Sequence, residues 1–467
     1  MLNVEDPEPS PVPDGTGHSR RVRVRYAPSP SGIPHIGNIR TALFNFLFAK
    51  NQKGKFILRI EDTDQKRIVP GAIEKIKESL LSLNLKFDEV YRQSERTMIY
   101  SKYLNLLKDK GLVYQDEGAW RFKVKSQTEK IGWNDFVHGP VAFSPGVIED
   151  FIIIKSDGFP TYHFASVIDD HDMRITHVMR GDEWISSTPK HLLLYKAFGW
   201  EPPTFVHTPP ILGPNKKKLS KREGARSVLE YIKDGYLPEA IINFLALLGW
   251  SPPPPKHLRG FGRELSRNGG PLRRDASRMD SSEVKVKEEE LFSLDQLIKL
   301  FSLDRLNKNS PIFNIEKLNW FNKKYLQKYS PEILSEKTRN FSKRARTIND
   351  RQLRAIVTLV KDRLTTLADF DKIAAIFFEK GKEKPPPEEK IANAKEAIKS
   401  ISTWNDRSIE KTLELWILKN KLDPADFKNT LRLAVFAQHS PPIYQSIALL
   451  TKKEVLKRID DAVKKSK

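Results

Sequence analysis

Arg21-Val22-Arg23-Val24-Arg25-Tyr26, then Ala27-Pro28-Ser29-Pro30-Ser31-Gly32-Ile33-Pro34, then His35-Ile36-Gly37-Asn38 form one continuous stretch near the start of the chain. Val22, Val24 and Tyr26 alternate with Arg21, Arg23 and Arg25, the period of a strand. The Pro- and Ser-rich run reads as a loop. From Gly37 to Lys50 a helix is expected, with Ile39, Leu43, Phe46 and Leu47 on one stripe. Lys55 to Ile60 reads as a second strand, and it ends in Glu61-Asp62-Thr63-Asp64. Pro70 stands where the first turn of a helix tolerates proline, and Ile73, Ile76, Leu80 and Leu83 continue that helix. Strand, helix, strand, helix is the opening of a parallel α/β sheet.

Residues 111–150 are irregular and read as an insertion between two halves of the sheet. The α/β pattern resumes with Phe151 to Lys155, then Thr161 to Val167, then His177 to Arg180. Ser187 or Thr188, with Pro189, caps a helix running to about Phe198, and Phe205 to Thr208 is the last strand. A basic loop, Asn215 to Gly224, follows. Residues 251–290 read as a linker: prolines at 252–255 open it, and positions 256–278 hold seven basic and two acidic residues with Phe261 the only aromatic. That composition cannot bury a core. From Leu291 onward the pattern is helical, interrupted by Pro385-Pro386-Pro387, and no internal repeat is found. Residues 1–20 read as a floppy tail, too acidic for a mitochondrial presequence and without the apolar centre of a secretory signal.

The chain has 467 residues, 39% of them hydrophobic, enough for about three domains with real cores. Its net charge of +21 favours a polyanionic partner, nucleic acid before membrane. The absence of cysteine excludes disulfides, thiolate zinc sites, iron–sulfur clusters and a cysteine nucleophile. No apolar run reaches the roughly 20 residues of a membrane span.

Three segments carry chemistry. His35-Ile36-Gly37-Asn38 sits between strand and helix, where free backbone N–H groups and the helix dipole hold phosphate. The same tetrad also reads as a simple helix cap. Lys216-Lys217-Lys218-Leu219-Ser220-Lys221-Arg222 reads either as a solvated loop or as a mobile clamp on a triphosphate. Arg59-Ile60-Glu61-Asp62-Thr63-Asp64 ends a strand, where open α/β sheets bind ligands, and reads equally as a solvated turn or as a site for a cation or ammonium group.

In this order and spacing the three segments resemble the two signature motifs of class I aminoacyl-tRNA synthetases, with a family-specific segment, Arg59 to Asp64, between them. With Pro160-Thr161-Tyr162-His163-Phe164-Ala165, Val167-Ile168-Asp169-Asp170-His171 and Arg180-Gly181-Asp182-Glu183-Trp184, the chain resembles the glutamyl-tRNA synthetase family of bacterial and organellar type. The resemblance is dense over residues 21–250, continues from Phe292 to Tyr325 and weakens toward the end. It implies an α/β fold, a Rossmann-type doubly wound parallel sheet with an inserted subdomain, followed by α-helical tRNA-binding domains. The implied parts are a catalytic first half at 21–110, a shortened acceptor-end subdomain at 111–150, a catalytic second half at 151–250, a disordered basic linker at 251–290, a stem-contact region at 291–328 and an anticodon-binding domain at 329–467.

The implied activity is glutamate–tRNA ligation: L-glutamate is activated with Mg-ATP and transferred to the 3′ end of tRNA-Glu, with tRNA-Gln a further substrate to test. Arg25 and Arg180 match the ligands of the side-chain carboxylate, a planar group suited to arginine. Glu61 matches the residue facing the α-ammonium group, and Ala27, Ser29, Tyr162 and Ser166 match further glutamate contacts. His35 and Gly37 match the ATP-phosphate site, Glu183 a position near the nucleotide, and Lys218, Ser220 and Lys221 the triphosphate clamp; His35, Lys218 and Lys221 are the implied catalytic set. Arg180 and Tyr162 also read as a core salt bridge and a packed aromatic. No metal ligand set and no zinc are expected. The implied enzyme is a cytoplasmic monomer without membrane association.

Three departures from the family stand out. Asn38 occupies the tetrad's fourth place. Ser166 stands where some members have Asn, leaving space for a water. The insertion at 111–150 is short, while 251–290 is long and basic, a pattern suited to nonspecific tRNA affinity. Glutaminyl-tRNA synthetase and a catalytically silent tRNA-binding paralogue are the competing readings. Two arginines facing the substrate speak against the first, and retention of His35, Glu61, Arg180, Lys218 and Lys221 against the second.

Overall fold

A computed structural model describes residues 12–13, 19–124, 129–219, 226–254, 290–379, 381, 383–438 and 442–466. They divide into two compact units, one drawn from 1–233 and 238–321, the other from 234–237 and 322–467.

In the first unit, two short strands, β1 (Val12–Pro13) and β2 (Ser19–Arg20), pair antiparallel. Strand β3 (Arg23–Tyr26) leads through the Pro/Ser loop into α1 (Ile36–Asn51), then β4 (Lys55–Ile60), α2 (Ala72–Ser82), β5 (Glu89–Arg92) and α3 (Thr97–Asp109). The inserted region holds β6 (Val113–Asp116), β7 (Ala119–Phe122), β8 (Ile131–Asp135), β9 (Gly139–Phe143) and β10 (Phe151–Ile154). Then come α4 (Tyr162–Asp172), β11 (His177–Gly181), α5 (Thr188–Phe198), β12 (Thr204–Thr208), α6 (Val228–Lys233) and α7 (Pro238–Leu247).

Five strands form one parallel sheet in the order β12-β11-β3-β4-β5. The chain moves outward from β3 to β5, then returns to the other side of β3 for β11 and β12. This is the doubly wound, Rossmann-type arrangement, and its switch point lies between β3 and β11. The ladder there is a single pair, His177 with Val24, whereas β3 stays paired to β4 as far as Tyr26 and β11 to β12 as far as Gly181. The C-terminal ends of β3 and β11 therefore share no ladder, and ligands of such sheets bind at that crevice.

Helix α1 departs from the single-stripe reading. Phe44 and Phe48 are buried as well as Ile39, Leu43, Phe46 and Leu47. Beyond its contacts with β3 and β4 it packs on α7 and on α8 (Leu294–Leu300), with the Phe44 and Phe301 rings 5.5 Å apart. A helix covered on several sides is apolar nearly all round. Phe151–Ile154 pairs antiparallel with β7, in the sheet order β10-β7-β6, rather than entering the parallel sheet. A short apolar run does not specify which kind of ladder it joins. Residues 162–172 form a helix. Ser187 is the N-cap of α5, Pro189 lies in its first turn, and Gly199 closes it at φ 75°.

The second unit is helical. Its helices at Pro331–Phe341, Asp350–Val360, Asp406–Lys419 and Pro424–Phe436 start at Ser330, Asn349, Asn405 and Asp423, each side chain accepting a backbone N–H of the first turn. Arg458 is buried and donates to the carbonyls of Ile376 and Phe377, so it belongs to this core. Among the described residues no helix is long and apolar enough to cross a membrane, and no cluster of His, Asp or Glu is placed to hold a metal ion. The basic segment expected at 251–290 falls almost wholly outside the described residues.

Candidate active site

A cavity of about 490 Å³ opens at the switch point. Arg25, Ala27, Ser29, His35, Glu61, Tyr162, Arg180 and Glu183 all line it, although they span 159 positions of sequence. Ser166 lies behind this surface, fully buried, and accepts from Arg59 at 3.3 Å. Ser220 and Lys221 lie outside the described residues.

Beneath the cavity is an ionic cluster that reading by motif did not assemble. Arg25 Nε donates to Asp170 Oδ1 at 3.0 Å, and Arg59 Nη1 donates to the same oxygen at 2.6 Å. Arg59 Nη2 donates to Glu61 at 3.0 Å. Asp169 accepts from Arg96, Gln93 and Tyr100 at 2.8–2.9 Å. Asp169 and Asp170 are adjacent on α4, and both carboxylates are buried. Burial opposes the Asp170 charge, yet Arg25 and Arg59 hold its carboxyl below the ordinary range. Burial likewise opposes the Arg59 charge, but Asp170, Glu61 and Asp169 keep it protonated. Burial pushes the Glu61 carboxyl upward, with Arg59 and Arg25 opposing it. The cluster thus fixes the floor of the pocket and turns one carboxylate, Glu61, toward it.

Arg180 is held differently. Nε donates to His207 Nε2 at 3.0 Å, Nη1 to the Tyr162 hydroxyl at 2.9 Å, and Nη2 to Thr188 Oγ1 at 2.8 Å and the Trp184 carbonyl at 3.3 Å. His191 Nδ1 stands 3.4 Å from Nη1. Burial, then the nearby Arg180 charge, push the His191 pKa well below its ordinary value, so this ring is neutral. Every one of these partners is uncharged, so the guanidinium keeps its full charge at the cavity wall. The Trp184 ring packs on Tyr162 at 4.3 Å and shapes the same wall.

His35 is the helix cap that the sequence offered. It is the N-cap of α1: its Nδ1 accepts from Gly37 N at 3.0 Å, and Asn38 Oδ1 returns a bond to His35 N at 3.2 Å. That explains the asparagine, which completes a capping box. With Nδ1 accepting, the neutral ring carries its proton on Nε2. A Cβ at position 37 would come within 2.9 Å of the His35 ring, so glycine leaves room for the capping ring against the helix start. Lys218 Nζ pairs with Glu183 at 3.4 Å, both half-exposed, which brings the basic loop's start to the cavity rim.

Burial also makes the fold acid-sensitive. The His163 pKa is lowered to about 4, first by burial and then by Lys190 and Arg180, and that of His177 to about 4 by burial. Between pH 6.5 and 4 the unfolded chain binds protons that the fold refuses, so stability falls as pH falls through that window. Urea titrations at pH 7 and pH 4.5 are expected to show a loss of a few kcal/mol that His177→Phe reduces; equal loss in that variant would remove His177 from the account.

Comparisons with known proteins agree with this fold. Residues 21–120 and 116–320 match the family described as tRNA synthetases class I (E and Q), catalytic domain, and residues 322–463 match an anticodon binding domain. A glutamate–tRNA ligase of Dehalococcoides mccartyi strain BAV1 is 35% identical, over 95% of this chain and 98% of its own. One from Fervidobacterium nodosum is 36% identical over 94% and 98%. The crystal structure of a glutamate tRNA ligase from Elizabethkingia meningosepticum in complex with its amino acid superimposes with a TM-score of 0.82, at 31% identity, covering 96% of this chain and all of that one.

Proposed function

The chain belongs to the class I tRNA synthetases of the glutamate and glutamine type, and from that premise we infer that it is a glutamate–tRNA ligase, using ATP to activate glutamate and tRNA to accept it. The observation that carries the substrate is Arg180, a buried guanidinium at the cavity wall whose own partners are all neutral. It faces an anion best, and a γ-carboxylate matches its planar donors. Arg25 stands on the same cavity, and Glu61 supplies a negative charge for the α-ammonium group.

The chemistry then needs no protein nucleophile. The α-carboxylate oxygen of glutamate forms a bond to the α-phosphorus as the bond to pyrophosphate breaks. A terminal ribose hydroxyl of tRNA next attacks the carbonyl, its proton is lost, and AMP leaves. The chain contributes position and charge. Arg25, Ala27, Ser29, Glu61, Tyr162 and Arg180 orient glutamate, with Ser166 supporting Arg59 behind them. The α1 N-terminus, His35 Nε2–H and the close backbone approach at Gly37 receive phosphate. Glu183 lies near the nucleotide, and Lys218, Ser220 and Lys221 close on the triphosphate. ATP enters as its magnesium complex, zinc has no part, and the enzyme works as a cytoplasmic monomer. Residues 111–150 meet the acceptor end, 291–328 the stem and 329–467 the anticodon region, while 251–290 adds nonspecific RNA affinity.

The test is glutamate-dependent ATP–pyrophosphate exchange with glutamine as control, with and without tRNA-Glu and then tRNA-Gln. Exchange with glutamate alone supports this reading, and the tRNA-Gln lane reports its tRNA range. Absence of exchange with either amino acid, despite tRNA binding, points to a silent paralogue. Lys221→Ala is expected to slow exchange by about a hundredfold, with tRNA affinity unchanged within twofold; an unchanged rate would remove Lys221 from the mechanism.

A further inference from the structure

We propose that Asp135 and His207 are positioning residues for Arg180, a buried relay through which the turn of the β8–β9 hairpin sets the arginine that receives the glutamate side chain. The proposal rests on the functional reading above for its substrate, but not for its geometry.

The chain of contacts is short and dry. Asp135 Oδ2 lies 2.5 Å from His207 Nδ1, and Arg180 Nε donates to His207 Nε2 at 3.0 Å. The side chains of Asp135 and His207 are both fully buried. A guanidinium can only donate, so His207 Nε2 must accept and the ring's proton must sit on Nδ1, pointing at Asp135. The other tautomer, or the doubly protonated ring, would set an N–H against the Arg180 N–H.

The far end of the relay is equally fixed. Asp135 Oδ1 accepts the backbone N–H groups of Val137 and His138, both at 3.1 Å, which form the hairpin turn. The hairpin is tied to the same region twice more. Phe136 N donates to the Phe205 carbonyl on β12 at 2.9 Å, and His138 Nε2 lies 2.9 Å from Asp182. One carboxylate therefore reads the turn with one oxygen and sets the histidine tautomer with the other. An element inserted between the two halves of the sheet thereby holds the arginine of the second half.

This arrangement makes Asp135→Asn informative. The turn needs an acceptor, so the amide oxygen stays with Val137 and His138 and the amide N–H₂ group faces His207. The ring must then accept at Nδ1 and carry its proton on Nε2, opposing Arg180. The KM for glutamate is expected to rise about ten- to hundredfold, with the KM values for ATP and tRNA unchanged within twofold. His207→Gln offers a carbonyl to Arg180 whatever stands at 135. On that background Asp135→Asn is expected to add less than a twofold change. A merely structural role would make the two changes additive and would spread the loss over all three substrates; that result, or an unchanged glutamate KM in Asp135→Asn, overturns the proposal.

Nitrogen-15 NMR of histidine-labelled wild-type protein gives a readout independent of activity. The His207 resonance, identified by its loss in His207→Gln, is expected in the Nδ1–H form, and an Nε2–H form overturns the relay. If the wild type shows no glutamate-dependent exchange but keeps the Nδ1–H tautomer, the functional reading has failed and the relay has not.

Discussion

Asp170→Asn is expected to lower the unfolding free energy by about 3–5 kcal/mol, although it changes one atom and almost no volume. Asp170 is shared by Arg25 and Arg59, which approach it at 3.0 and 2.6 Å from different strands. The surrounding cluster sets the carboxylates of Glu61, Asp169 and Asp170 against the guanidinium groups of Arg25, Arg59 and Arg96. Neutralising one carboxylate leaves this set with an excess positive charge in a region where Arg59 has no exposed surface. Water cannot reach that charge, and neither arginine can lose its proton. Asn also brings N–H donors against arginines that only donate, so one buried bond becomes a repulsion. Urea denaturation at pH 7 measures the effect, with a midpoint shift at constant slope expected. A loss under ~1 kcal/mol would mean that Glu61 or Asp169 takes over both guanidinium groups and that Asp170 is not the keystone of the cluster.

The cluster also shows what the sequence could and could not reveal. Alternation in β3 and the acidic end of β4 located the crevice, because both are local patterns with a fixed period. The residues that line it were found by motif, since Arg25, Glu61, Tyr162 and Arg180 each sit in a short, distinctive segment. Asp169 and Asp170 were quoted within such a segment without a role. Nothing local says that both face inward from α4, or that their partners are Arg25, Arg59 and Arg96, between 73 and 145 positions away. His207 and Asp135 were illegible for the same reason. One lies in an apolar strand, the other in an irregular insertion, and 72 positions separate them. Periodicity reports which face a residue occupies, whereas a hydrogen-bond relay depends on which elements meet. The placement of Phe151–Ile154 failed on the same ground, since its apolar run specified burial but not its neighbour.

Arg180→Ala is expected to cut kcat/KM for glutamate by about three orders of magnitude, while the KM for ATP stays within a few-fold. The size follows from what the side chain does without substrate. Its donors end on His207, Tyr162, Thr188, the Trp184 carbonyl and the neighbourhood of His191, none of which carries a charge. Removing it therefore leaves no partner carboxylate stranded at its own contacts, in contrast to Asp170→Asn, and the expected loss of stability is only about 1–3 kcal/mol. Binding suffers far more, because a carboxylate entering the cavity would lose water and find no fork to replace it. Arg180→Lys restores charge but not the planar donors, nor the bond from Nε to His207, so it should recover only part of the activity. Glutamine supplies the deciding comparison. If Arg180 selects the anion, the variant loses its preference for glutamate over glutamine, because the amide never drew on the full charge. If Arg180 is only a packing element of the core, both amino acids lose activity in the same proportion and the Arg180→Lys variant rescues both alike. ATP–pyrophosphate exchange with each amino acid, on variants shown to be folded by their urea midpoints, separates the two. Proportional loss would return the substrate assignment to Arg25 and Glu61 alone.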